Sequence, residues 1–394
     1  MKILMLTPYL PFPLHSGGQI RSYNLLKKLS QKHQITLFSF IRSDQEKTHL
    51  KELKKFCHDV RVFKRRQAWD LRNVLISIFT PYPFLVSIYL SRTLRRVLKK
   101  ELSTGQYDLI HAETFYVMPN LGTTENIPIL LVEQTIEYLV YQNFVENFKV
   151  FFLKPLLYFD VLKIKLWEKY FWKKATRLAA MSAPDKHIMQ QTVKDVDVVA
   201  NGIDIKYFAQ TQIKPPKTPT VLFVGNFKWL PNKDAAVFLA KDIWPLIQTK
   251  LPQAKLWIVG RNPTKEILKL AQMPNVTVTG DIKDIRTAFG QASVLLAPIR
   301  NGRGTKYKVL EAMASQVPVV TTQLGIEGVE AVNNQSVLVA EGAQALAQKT
   351  IQVLTNQKLA QKLAVKAKKL VYDKYNWQVI SRQLDKIYQQ LGGA

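Results

Sequence analysis

The sequence predicts an α/β protein made of two doubly wound domains, each built on a parallel sheet. Three observations predict it. Short apolar runs alternate with helical periodicity from end to end, which is how strand–helix–strand units with parallel strands read. At 394 residues the chain is too long for one ordinary domain and long enough for two cores. A Pro- and Lys-rich stretch at 210–219 breaks the pattern near the middle and reads as a semi-rigid linker. The division expected is a first domain over 1–208, a linker over 209–219 and a second domain over 220–372.

In the first half the strand candidates are Ile3–Thr7, Ile35–Phe40, Val60–Phe63, Asp108–His111, Ile129–Val132, Leu178–Met181 and Val196–Ala200. In the second they are Val221–Gly225, Leu256–Gly260, Val276–Gly280, Val294–Pro298 and Val317–Thr321. Most are continuous apolar runs, as strands covered on both faces require. Ile3-Leu4-Met5-Leu6 is preceded only by Lys2 and followed by no cleavage site, so it reads as a buried strand and not as a signal peptide. The longest apolar stretch, Leu75 to Leu90, contains Pro81 and Pro83 and falls short of a bilayer span. A single cysteine, Cys57, excludes an internal disulfide framework and fits a reducing compartment. With 56 Lys+Arg against 29 Asp+Glu, the formal charge of +27 implies an anionic partner: nucleic acid, a phospholipid surface or a phosphorylated substrate. A cytoplasmic protein able to lie on the inner face of a membrane is expected.

Ligands of doubly wound sheets bind at strand C-termini, so function is sought in the loops that follow strands. After the first strand, three prolines lead to Gly17-Gly18 and a helix with Ile20, Tyr23, Leu26 and Leu29 on one face. The glycines either make the turn into that helix or let a phosphate reach its amides and dipole. The most informative stretch is Ala297-Pro298-Ile299-Arg300-Asn301-Gly302-Arg303-Gly304-Thr305-Lys306-Tyr307-Lys308, running into Val309-Leu310-Glu311-Ala312-Met313-Ala314. Thr305 reads as a helix N-cap. Arg303, Lys306 and Lys308 then crowd the positive end of the helix dipole, where cations are unfavourable. A diphosphate would turn that repulsion into binding. Glu311 lies in an apolar setting and needs partners, either Lys308 three residues before it or a pair of ribose hydroxyls.

These motifs, taken in order, resemble glycosyltransferase family 4. The resemblance is carried by Val221-Leu-Phe-Val-Gly-Asn226-Phe-Lys228, Pro252 to Gly260, Val276 to Asp281, the cationic loop, Pro318 to Gly328, the Gly17-Gly18 loop and Asn201-Gly202-Ile203-Asp204. It covers nearly the whole chain. It implies the GT-B fold, a nucleotide-diphosphate sugar as donor, retention at the anomeric carbon, no metal ion or other cofactor, and a last helix, 373–394, packing back on the first domain. On the donor it implies Gly17, Gly18, Asn226, Lys228, Arg261, Asp281, Gly302, Arg303, Gly304, Thr305, Lys306 and Glu311, with Lys306, His111 and Glu113 at the reaction. Two positions depart from the pattern. Arg303 stands where many members have a glutamate that contacts the donor sugar, and Asn226 where many have arginine. Arg303 then reads either an acidic sugar or the diphosphate, and a non-catalytic nucleotide-sugar binder stays open as a second reading.

Two further features bear on partners. Segments 61–100 and 144–174 interleave Lys and Arg with apolar and aromatic residues. That pattern suits an anionic membrane and a glycan or lipid-linked acceptor; two ordinary amphipathic helices packing on the first domain would read the same way. No helix-turn-helix, zinc or RNA-recognition signature accompanies the charge, so nucleic acid is not an expected partner. Asp195-Val-Asp197 has the form of a metal-binding pair but begins a strand at the domain boundary, and reads as a solvated strand end.

Overall fold

A computed structural model describes residues 1–104, 106–122, 124, 127–214, 216–302 and 304–392. The chain divides into two compact units: Met1–Ala200 with the chain from Ile380 onward, and Asn201–Val379.

The first unit holds β1 (Lys2–Thr7), β2 (Gln34–Ile41), β3 (Asp59–Lys64), β4 (Leu109–Glu113), β5 (Ile129–Glu133), β6 (Arg177–Ala180) and β7 (Val196–Val198). They form one parallel sheet in the order β3-β2-β1-β4-β5-β6-β7. β4 and β5 are buried along their whole length, as strands covered on both faces must be. The strand order reverses between β1 and β4, and that switch point is where such sheets bind ligands.

The second unit holds β8 (Thr220–Val224), β9 (Lys255–Val259), β10 (Val276–Thr279), β11 (Val294–Ala297), β12 (Val319–Thr321) and β13 (Leu338–Val339). Its order, β10-β9-β8-β11-β12-β13, is again wholly parallel, with the switch point between β8 and β11. Each strand expected from sequence is present; β13, only two residues long, is an addition.

The division differs from the expected one at its edges. Asn201–Ala209 groups with the second unit, not the first. The Ile203 amide donates to Tyr375 O at 2.6 Å, and Ile203 bridges to Asn376. A Cβ on Gly202 would lie 2.7 Å from the Trp377 ring, so only glycine fits beneath that indole. The last helix, Trp377–Gly392, starts beside this contact, and from Ile380 it belongs to the first unit.

Candidate active site

In the second unit, the expected donor residues that are described follow the C-terminal ends of β8, β9, β10 and β11. A Cβ on Gly260, at φ 155°, would strike the Gly225 carbonyl, so glycine lets the loops after β8 and β9 touch. Asn226 Oδ1 accepts from the Lys228 amide and from Asn262 Nδ2, each at 3.1 Å. Arg261 Nε lies 3.6 Å from Asp281 Oδ1, an exposed pair. After β11, Gly302 and Gly304 take positive φ (91° and 85°), which bends the loop over the start of the helix Tyr307–Ala314. Lys306 Nζ folds back to the carbonyls of Gly302 (3.2 Å) and Gly304 (2.5 Å). The Gly304 amide donates to Glu327 at 3.1 Å.

The expected N-cap is one residue early. Lys306 has the extended backbone of the cap (φ −90°, ψ 101°), with the helix starting at Tyr307. The Thr305 hydroxyl is instead buried without a hydrogen-bond partner. Arg303 lies outside the described residues.

Lys308 Nζ donates to Asn232 Oδ1 at 2.8 Å and stands 4.3 Å over the Phe223 ring. Burial, aided by the Lys306 charge, pulls its ammonium down to about 7. Burial also pushes the Glu311 carboxyl up to about 7, against the pull of Lys308. Among the described residues, the start of this helix thus brings together Lys306 beside the Gly302 and Gly304 carbonyls, Lys308 and the Glu311 carboxyl. An anion with hydroxyl groups is the ligand whose chemistry complements that set.

The first unit's candidates flank its own switch point. Ser16 caps the helix Gly17–Leu29 by accepting from the Gln19 amide at 3.4 Å. A Cβ on Gly18 would strike the Tyr9 hydroxyl and the Gln134 side chain, so packing favours glycine here. The helix buries Arg21, Ser22, Leu25, Leu26 and Leu29; the expected Ile20 and Tyr23 are only half-buried. Arg21, which the sequence reading missed, is 0% exposed, as are His111 and Glu113. Glu113 Oε1 lies 3.8 Å from Arg21 Nε and 3.3 Å from His111 Nε2, while its Oε2 accepts from Gln134 at 2.7 Å. Gln134 also bonds Tyr9, and Arg21 Nη1 donates to Ala200 O at 2.8 Å. Tyr388, from the last helix, meets His111 Nδ1 at 2.5 Å.

Burial works to raise the Glu113 carboxyl, but His111, the Arg21 charge and Gln134 outweigh it and hold Glu113 below the usual carboxylate range. Glu133, on the next strand, behaves oppositely. Burial and the nearby Glu168 push it well above that range, and it accepts from Trp172 Nε1 (3.0 Å) and the Phe115 amide (3.3 Å). Glu168 accepts from the first amides of the helix Glu137–Glu146 (2.9 and 3.1 Å), so Glu133 and Glu168 serve the interior. Asp197 of the Asp-x-Asp run bonds Arg177 at 2.7 Å.

Two doubly wound parallel units, each with a glycine-bearing loop at its switch point, give the chain the GT-B architecture. The chain belongs to glycosyltransferase family 4: residues 15–207 match the Glycosyltransferase Family 4 model, and 218–356 match Glycosyl transferases group 1. It is 25% identical to a phosphatidyl-myo-inositol mannosyltransferase of Mycolicibacterium smegmatis, over 76% of this chain and 75% of that one. It is also 25% identical to a capsular polysaccharide biosynthesis glycosyltransferase of Staphylococcus aureus, over 58% and 66%. Among solved structures, Anabaena HepE in complex with UDP superposes with a TM-score of 0.68 at 16% identity, over 99% of this chain and 100% of that one.

Proposed function

We propose that this glycosyltransferase moves a sugar from a nucleotide-diphosphate donor, with retention and without a metal ion, to a glycan or lipid-linked acceptor at an anionic membrane surface. Cell-envelope polysaccharide or glycolipid synthesis is the setting. One observation carries the reading: the Lys306 ammonium rests on the Gly302 and Gly304 carbonyls at the head of a helix, with Glu311 just over a turn further on. Neutral carbonyls are weaker partners for an ammonium than phosphate oxygens, so a diphosphate would draw Lys306 onto itself. Glu311 would accept from the ribose hydroxyls. Asn226, Lys228, Arg261 and Asp281 are assigned to the donor as well, by family resemblance. The solved HepE complex with UDP and the lipid and capsular roles of the relatives support this choice of ligands.

In this mechanism Lys306 and the helix amides stabilise the charge that grows on the leaving diphosphate, which is electrostatic preorganisation. The departing phosphate oxygen takes the acceptor's proton, and the acceptor attacks from the face the phosphate leaves. His111 and Glu113 are assigned to the reacting end of the donor sugar, by family resemblance. Both are fully enclosed without ligand, so the Arg21–Glu113–Gln134–Tyr9 network must open for contact. Calorimetry against a set of nucleoside diphosphates tests the donor site, and NMR of the product's anomeric proton tests retention. Absence of binding to every diphosphate would remove the site, and an inverted product would remove the mechanism.

A further inference from the structure

The first unit carries an apolar surface that sugar transfer leaves unused. Its helix Lys154–Lys174 follows the turn Phe151–Leu153 and buries Val161, Ile164, Phe171 and Trp172 on the core. The opposite side is apolar too. Phe152, Leu156, Phe159, Leu162, Leu166 and Tyr170 recur every three or four residues, so they make one stripe, and all are exposed. The helix Leu71–Phe79 repeats the arrangement: Leu71, Leu75, Ile78 and Phe79 share a face and are exposed. Trp69, just before it, is 88% exposed, and Phe79 and Phe151 are 79% and 78% exposed.

These two helices are fastened together. Asp160 Oδ1 accepts from the Ser77 hydroxyl and the Phe84 amide, each at 2.8 Å. Lys163 Nζ donates to Ser77 O (2.5 Å) and Thr80 O (2.9 Å), and Trp167 Nε1 to Pro81 O (2.8 Å). The apolar surface also runs inward: Leu166 and Tyr170 line an open groove of about 530 Å³ with Tyr82, Met118 and Trp167. So large an uncovered apolar surface is uncommon on a soluble monomer and marks an interaction site.

Charge selects the partner. Across 148–174 the basic residues are Lys149, Lys154, Lys163, Lys165, Lys169, Lys173 and Lys174. The two acids there are turned to other work: Asp160 holds the neighbouring helix, and Glu168 is buried on backbone amides. A second copy of this chain would present the same positive charge and be repelled. The partner is apolar and anionic at once.

We propose that these helices form a membrane-penetrating surface. The Phe, Trp and Leu side chains enter the boundary between headgroups and acyl chains of an anionic bilayer, and Lys149, Lys169 and Lys173 engage its phosphates. The proposal gives the membrane reading above its structural element, and its test does not depend on sugar transfer. The full-length protein is sedimented with phosphatidylcholine vesicles, with and without phosphatidylglycerol, at low and high salt. Binding is expected to favour the anionic vesicles and to weaken, without vanishing, as salt rises. The double substitution Phe151→Ser, Phe152→Ser is expected to lower partitioning about tenfold or more at both salt levels, as loss of buried aromatic area requires. Nucleoside diphosphate affinity should stay unchanged. Equal binding by parent and double variant would overturn the proposal, as would indifference to lipid charge. So would a parent that self-associates through this face, shown by a double variant that becomes monomeric in analytical ultracentrifugation without any change on vesicles. If diphosphate binding fails while vesicle binding stands, the transferase reading falls and this one remains.

Discussion

The two sheets place their candidate residues at matching switch points, between β1 and β4 in one and between β8 and β11 in the other, yet they handle charge in opposite ways. At β1/β4 a carboxylate, a guanidinium, an imidazole and a phenol enclose one another at no solvent exposure. At β8/β11 the cation rests on loop carbonyls, and the carboxyl one turn away is held near neutrality. The first arrangement is held by charge more than by hydrogen bonds. Arg21 Nε and Nη2, His111 Nε2 and Glu113 Oε1 are buried without a hydrogen-bond partner, so the ion pair carries the burial and breaking it harms the fold. In the second, the reading proposed above has a ligand complete the set. Removing the same chemical group from the two places should therefore be read by different instruments, one by unfolding and the other by binding.

The largest effect is expected from Glu113→Gln. It removes the charge beside Arg21 and leaves a buried guanidinium uncompensated, at a cost of about 3–5 kcal/mol in stability. Glu311→Gln, the matching change in the second unit, should not lower stability at neutral pH, because it removes a carboxylate whose charge burial opposes, and it should weaken nucleoside diphosphate binding. Denaturant unfolding of both variants checks the contrast, and equal losses would erase it. Next comes Lys306→Ala, expected to weaken diphosphate affinity by roughly 1.5–3 kcal/mol with little change in unfolding. Calorimetry reads it directly.

A pH series gives a smaller and signed effect. The Glu311 carboxyl lies near 7 when folded against an ordinary 4.5, so the folded state binds more protons between those values. Stability of the free protein should then fall as pH rises from 4.5 to about 7. Donor affinity should run the other way, strengthening up to about tenfold per pH unit below 7, because only the ionised carboxylate offers both oxygens as acceptors to the two ribose hydroxyls. In Glu311→Gln that rise in affinity with pH should be lost, leaving the opposite trend set by Lys308, whose ammonium is pulled down to about 7. Smallest of all is Lys228→Ala. Its side chain is exposed at the rim, and within about 0.5 kcal/mol no change in stability is expected. A large loss of stability there would mean the rim is more tightly built than its exposure suggests.

Strands were legible because a strand covered on both faces writes a continuous apolar run, and β13 was missed because two residues cannot show one. The donor loop was legible because its glycines and cations lie within a few residues of each other. Its cap was misplaced by one residue because Thr is the better N-cap former, while the extended backbone fell to Lys306. Nothing local announces the Arg21–Glu113 pair, whose members stand far apart along the chain. One signal was available: Arg21, Leu25 and Leu29 share a helix face, and an arginine on an apolar face demands a partner. The grouping of Asn201–Ala209 with the second unit depends on Tyr375, Asn376 and Trp377, contacts that no reading of the linker alone could supply.

The last helix has a consequence for how the protein is made. The first unit takes Leu384, Asp385 and Tyr388 from the far end of the chain, where Asp385 bonds His33 at 2.8 Å and Tyr388 bonds His111. Ribosomes deliver the N-terminal residues first. Tyr388 and Asp385 can therefore reach His111 and His33 only after the second unit has been synthesised. The first unit is begun first and finished last.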